Sequence, residues 1–253
     1  MNAVRGCAPL LLVSLVTCGC LDVVESIRLK KNLSGEGSVV ATLDLDQYAR
    51  SMLLVLSGMS IKEPSKLSPE ETSKLVKELE QDETSLAGLW HESEDAIQTL
   101  VASFPAGVHR TGSSSGRSGE SKWVVRVDFT FDDVAKLRRL RAAVGTLPTV
   151  YVDPFEGLEV NDDGHEVVLT RSLHQGQEAC FGALVDEPEG ARVRRAGDCP
   201  IRVAFQLEAP FHIIDANATR NEGAKLVWDF DAQALRPINA ERRQGFIPAR
   251  FKR

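Results

Sequence analysis

The chain has 253 residues, 43% of them hydrophobic and 26% charged, enough for one sizeable core or two small ones. Its formal net charge is −6, and loss of residues 1–19 would remove Arg5 and no acid, leaving −7. That balance argues against a nucleic-acid binder, which normally shows a basic face, so nucleic acid is not an expected partner.

The first element is a leader. Arg5 supplies a lone positive charge, and Leu10, Leu11, Leu12, Val13, Leu15 and Val16 make an apolar run of about nine residues, far short of the roughly 20 that span a bilayer. The run ends at Thr17-Cys18-Gly19-Cys20. A small residue followed by cysteine at the cut resembles the lipobox of bacterial lipoproteins, in which that cysteine is acylated and becomes the mature N-terminus. Cys20, preceded by Gly19, is the expected lipid site, with Cys18 as the alternative. The resemblance implies a palmitate-type anchor as the membrane attachment, and a place in the bacterial envelope, at the outer membrane facing the periplasm. Residues 1–19 would be the signal peptide and 20–253 a single domain.

Beyond the leader, Val24, Ile27 and Leu29 alternate with Glu25, Arg28 and Lys30, and Ser34-Gly35-Glu36-Gly37 reads as a turn before a second β-rich run over 38–45. Helical spacing follows over 48–59. Ser68-Pro69-Glu70-Glu71 is a helix start with Ser as N-cap, Pro at the first helical position and Glu three residues after the Ser. A second helix is predicted over 85–104 from Leu86, Leu89, Trp90, Ile97, Leu100 and Val101, and Pro105 and Gly107 stop it. The stretch 48–107 would form a helical subdomain.

Thr111 to Ser121, rich in Gly and Ser, reads as a flexible loop, and Trp123 to Phe129 as a strand. Val134, Leu137, Leu140 and Val144 predict an amphipathic helix over 131–144. Strands are expected at 158–160 and 167–169 around an Asp162-Asp163-Gly164 turn, then at 201–207, 212–214 and 226–230. The C-terminal Arg242, Arg243, Arg250, Lys252 and Arg253 read as a solvated basic tail. Cys180 and Cys199 are expected to form a disulfide closing the loop 180–199, as two lone cysteines in an exported chain do. The order of elements predicts an α+β fold, a largely antiparallel sheet from N- and C-terminal strands with helices packed on one face.

Pro210 to Ala218, Gly223 and Leu226-Val227-Trp228-Asp229-Phe230 are similar to the closing hairpin of LppM-type envelope lipoproteins. The N-terminal hairpin close behind the lipobox also resembles that group. Departures are the basic tail, where members of the group often carry a transmembrane helix, and the segment between Cys180 and Cys199. The resemblance implies an envelope domain that binds lipid or glycolipid, and it carries no catalytic residue.

No catalytic motif is visible. His91 and Asp95 share a helix face at i and i+4 beside Glu92 and Glu94, a pattern that most often marks a solvated face, so no metal is expected. Ser113 to Ser115 lack the G-x-S-x-G elbow, and neither a calcium loop nor a phosphate-cradling glycine motif occurs, so no cofactor is expected. Trp228, Phe230, Ile213, Leu89, Ile97 and Val101 are the candidates for an apolar groove. The expected function is a non-enzymatic envelope lipoprotein binding lipid or an envelope component. An assembly accessory that binds a partner protein is the alternative, and a hydrolase comes third.

Overall fold

A computed structural model describes residues 21–45, 68, 70–71, 73–74, 77–78, 83–140, 154–155, 157–173, 202–231 and 245–253. The leader with Cys18 and Cys20, the helix expected over 48–59, the pair Cys180 and Cys199, Arg242 and Arg243 lie outside the described residues.

The strands are β1 (Leu21–Leu29), β2 (Gly35–Asp44), β3 (Val108–Ser118), β4 (Lys122–Phe131), β5 (Leu158–Asp162), β6 (Glu166–Leu173), β7 (Arg202–Glu208), β8 (His212–Ala216), β9 (Arg220–Glu222), β10 (Lys225–Asp231) and β11 (Gly245–Lys252). A long helix, α1 (Glu83–Ala102), precedes β3, and a 3₁₀ helix covers Val134–Arg139. Seven strands form one sheet in the order β3-β4-β2-β1-β7-β10-β9, and four form another in the order β5-β6-β11-β8. β1 and β7 run parallel, whereas the other paired neighbours are antiparallel.

The described residues are therefore mostly β, and the expected α+β arrangement with helices covering one face of a sheet is overturned. Three local readings account for the error. The Gly/Ser stretch expected as a loop is β3, whose backbone pairs with β4 along its length apart from a bulge between Arg110 and Gly112. Weak intrinsic strand preference yields there to a neighbour anchored in the core by Trp123, Val127 and Phe129. The helix expected over 131–144 is strand up to Phe131 and then a short 3₁₀ helix. Val134, Leu137 and Leu140 recur every three residues, the period of that tighter helix, and all three are buried. Asp133 caps it, its carboxylate accepting from the Ala135 N–H at 2.9 Å.

The third error is the basic tail. Arg250 and Lys252 belong to β11, which lies between β6 and β8, and Ile247, Ala249 and Phe251 alternate with them into the core. β8 pairs only with residues 249–252, so Pro248 falls where that side of β11 needs no N–H.

The first hairpin forms with its turn displaced toward the N-terminus. Lys30 and Ser34 close it, Leu33 takes φ 62°, and Gly35 and Gly37 are already in β2. Both glycines leave room for close neighbours: a Cβ on Gly37 would lie 2.5 Å from the Phe129 ring, and one on Gly35 would run into the Arg28 carbonyl oxygen and lie 2.8 Å from the Phe131 ring. The Asp162-Asp163-Gly164 turn forms as expected between β5 and β6, with Gly164 at φ 86° and Asp163 Oδ1 accepting from the N–H groups of His165 and Glu166. The capping box also forms: Ser68 Oγ accepts from the Glu71 N–H at 3.2 Å, and the Glu71 carboxylate accepts from the Ser68 N–H at 2.8 Å.

The inner faces of both sheets share one core. A row of rings crosses it, Phe104–Phe129–Phe155–Phe205–Trp228, with neighbouring centroids 5.5–6.3 Å apart. α1 contributes Ile97 and Leu100, and its Ser93 Oγ accepts from Trp123 Nε1 at 3.0 Å. Among the described residues, buried charge enters this core at one point. Glu25, one of the polar positions of the first β run, is buried and binds Arg171 of β6 at 2.7 and 3.0 Å. It also accepts from the Phe155 N–H at 3.2 Å, and the Arg171 guanidinium lies 5.1 Å from the centre of the Phe205 ring. This pair joins the two sheets.

Candidate functional site

Alternation puts the other side of β1, β2, β4 and β7 outside, and there the large sheet carries a trough of about 290 Å³. Register explains the dip. Ser26 of β1 lies opposite Ser38 of β2, and the same row continues to Asp128 on β4 and Gln206 on β7. Two short side chains at the centre make a low floor between taller neighbours. The next row is Glu36, Arg28, Glu208 and Lys225, from β2, β1, β7 and β10, so charge alternates in sign strand by strand.

Two ion pairs stiffen the walls. Arg28 Nε donates to Glu208 at 2.9 Å, and Arg126 Nε donates to both oxygens of Asp128 at 2.7 and 2.9 Å. The Asp128 hydrogen bond and charge hold the Arg126 guanidinium above its ordinary pKa, so it stays a cation. Ser26 Oγ reaches Gln206 Oε1 at 3.5 Å. The lining holds three cations (Arg28, Arg126, Lys225) against three carboxylates (Glu36, Asp128, Glu208), so it is polar without net charge. Such a surface can offer paired donors and acceptors to a polar group, and it has no field that would select a simple anion or cation.

None of these residues was singled out as a site in the sequence. Arg28 is visible as a polar position of the first β run, yet its neighbours in space come from strands that only the register brings together. Of the residues proposed for an apolar groove, four have described side chains. Trp228 and Ile97 are buried in the core, with Trp228 Nε1 donating to Asn217 Oδ1 at 2.8 Å, and Ile213 and Val101 pack against that core half-buried. The side chains of Leu89 and Phe230 lie outside what is described. The strands at 212–216 and 225–231, expected to close one hairpin, belong to different sheets: β8 pairs with β11, and β10 with β7 and β9. The Pro210–Ala218 run is bent away because Phe211 and Ile213 have apolar partners in the smaller sheet, where Phe211 and Phe251 are 6.3 Å apart.

His91 and Asp95 are exposed on α1, while Glu94 accepts a hydrogen bond from Ser115 at 3.0 Å. Ser113 and Ser114 lie on β3. No helix among the described residues is long and apolar enough to cross a membrane.

No protein-family model matches the chain, and no curated protein does. Among solved structures, the NMR structure of the folded domain of LppM from Mycobacterium tuberculosis is weakly similar, with a TM-score of 0.42 and 14% identity over 92% of this chain and 90% of that one.

Proposed function

We propose that the chain is a lipid-anchored, non-catalytic protein of the bacterial envelope whose large sheet offers its polar trough to the polar part of an envelope component, a lipid headgroup or the head of a glycolipid. Anchoring rests on the leader, where a short apolar run ends at Gly19-Cys20. Binding rests on one observation, the row of alternating charge beside the Ser26–Ser38 floor. Arg28 and Arg126 are pre-oriented by their carboxylates, so a ligand would meet donors already in place rather than mobile side chains. We place the ligand on this face rather than in an apolar groove because Trp228 and Ile97 are taken up by the core.

Amide chemical shifts of the ¹⁵N-labelled protein, titrated with soluble headgroups such as glycerophosphoethanolamine or glycerophosphoinositol, test the site. Saturable shifts confined to the backbone around Ser26, Ser38 and Gln206 are expected. Shifts scattered over the surface, or none with any headgroup, would remove the trough as a ligand site. A stable heteromer on purification would point instead to an assembly accessory, and turnover of ester, phosphate or glycoside substrates to an enzyme. For the anchor, Cys20→Ser is expected to release the protein from the membrane fraction and Cys18→Ser to leave it there; the reverse result would move the lipid to Cys18.

A further inference from the structure

Among the described residues the two sheets end in four edge strands, and one is unlike the others. β9 has three residues, with Arg220 and Glu222 among them; β5 and β8 have five each, carrying Glu159 and Asp162 or His212 and Asp215. Short, charged edges are how sheets avoid accepting a further strand. β3 runs for 11 residues, Val-His-Arg-Thr-Gly-Ser-Ser-Ser-Gly-Arg-Ser, with neither proline nor lysine. Its bulge between Arg110 and Gly112 leaves the ladder regular from Gly112 to Ser118. The strand is also sterically open: a Cβ at Gly116 would meet nothing within 4 Å, and one at Gly112 only the Asp128 side chain. Among the described residues nothing pairs with its outer edge.

The charge of the strand selects a partner. β3 carries His109, Arg110 and Arg117 and no acid. Arg110 lies opposite Phe129 and Arg117 opposite Trp123, both core-facing positions of β4, so the two arginines occupy the same side of the sheet six ladder positions apart. That is a span of about 20 Å. Both are exposed. Pairing with a second copy of β3 about the middle of the strand would bring Arg110 near the copy's Arg117, setting like charges opposite each other.

We propose that β3 is a strand-addition site that takes an extended, acidic segment of a partner protein as a further strand of the large sheet, its carboxylates six residues apart meeting Arg110 and Arg117. Backbone hydrogen bonds along Gly112 to Ser118 hold the segment, and the two arginines choose its charge and register.

The test uses the full chain and a fluorescent eleven-residue Ser/Thr peptide with Glu at its third and ninth positions. Binding is read by anisotropy, and amide hydrogen exchange is followed over 111–118. Saturable binding is expected, with slowed exchange in that segment. The same peptide N-methylated at alternate backbone nitrogens should bind at least about tenfold more weakly, the worth of one or two hydrogen bonds. The R110E/R117E variant, both positions being exposed, should lose the Glu peptide and take its Lys counterpart. Equal binding of the N-methylated peptide would reduce the contact to charge alone and overturn strand addition. So would absence of binding, or amides over 112–118 fully protected before any peptide is added, which would mean that this edge is already covered. Dimerisation of the free chain with protection confined to β3 would replace the partner with a second copy.

Discussion

β1 carries two arginine–carboxylate contacts of similar length in opposite surroundings. Glu25 points inward to Arg171 at 2.7 Å, their side chains 3% and 1% exposed; Arg28 points outward to Glu208 at 2.9 Å, with 64% and 42% exposed. Inside, desolvation makes either charge costly alone, and the pair persists because Glu25 also accepts from the Phe155 N–H and Arg171 lies against the Phe205 ring. Outside, water screens the same contact, so the pair contributes little to stability and its guanidinium keeps donors for a ligand. Distance alone does not separate a structural ion pair from one suited to binding. Burial does.

The largest effect should come from breaking the inner pair. Arg171→Ala is expected to cost about 3–5 kcal/mol in urea unfolding, because it strands the Glu25 carboxylate between the sheets. Replacing both Glu25 and Arg171 by Met should recover most of that loss, since no charge is then left buried. A double variant as unstable as the single one would show that packing rather than desolvation governs the seam.

Second comes the seat of the rings on the same inner face. Gly37→Ala places a Cβ 2.5 Å from Phe129 and should cost about 1–3 kcal/mol. Combining it with Phe129→Leu should cost less than the two single changes added together, because the clash is shared.

Acid should act through the surface carboxylates held below their usual range. A hydrogen bond from Arg202, aided by its charge and that of Arg220, holds the Asp229 carboxyl below the usual range. Its folded pKa is thus below its unfolded one, so its contribution is present above the unfolded value of about 4 and is lost as pH falls through the lowered folded pKa. Backbone N–H groups of Glu166 and His165 lower Asp163 in the same direction, and Lys136 lowers Asp132. Unfolding followed between pH 5 and pH 2 should therefore show falling stability, with a shallower slope in Arg202→Ala. An unchanged slope in that variant would mean that other carboxylates set the acid response.

The smallest stability change is expected for Arg28→Ala, within about 1 kcal/mol of the parent. The same variant should weaken headgroup binding at the trough. A large loss of stability there would erase the contrast between the two faces of β1.

Local chemistry alone determined much of this chain. α1, β4, β7, β10 and the β5–β6 hairpin are visible from periodicity and turn residues, and the Ser68–Glu71 cap from four consecutive side chains, because each of these signals is satisfied within a few residues. The alternation of Ile247, Ala249 and Phe251 is equally present in the sequence, but it is interleaved with Arg250 and Lys252, whose charge is also the mark of a solvated end.

Only the tertiary structure decided the rest. Gly35 and Gly37 look like a turn until the Arg28 carbonyl, Phe131 and Phe129 take up the space of their missing side chains, and β3 is a strand because β4 supplies its ladder. Glu25 and Arg171 are 146 residues apart, and Arg28 and Glu208 are 180 apart. Which carboxylate is buried and which borders a binding trough depends on strand register, and register is fixed where apolar faces from distant strands pack together, beyond the reach of any local pattern.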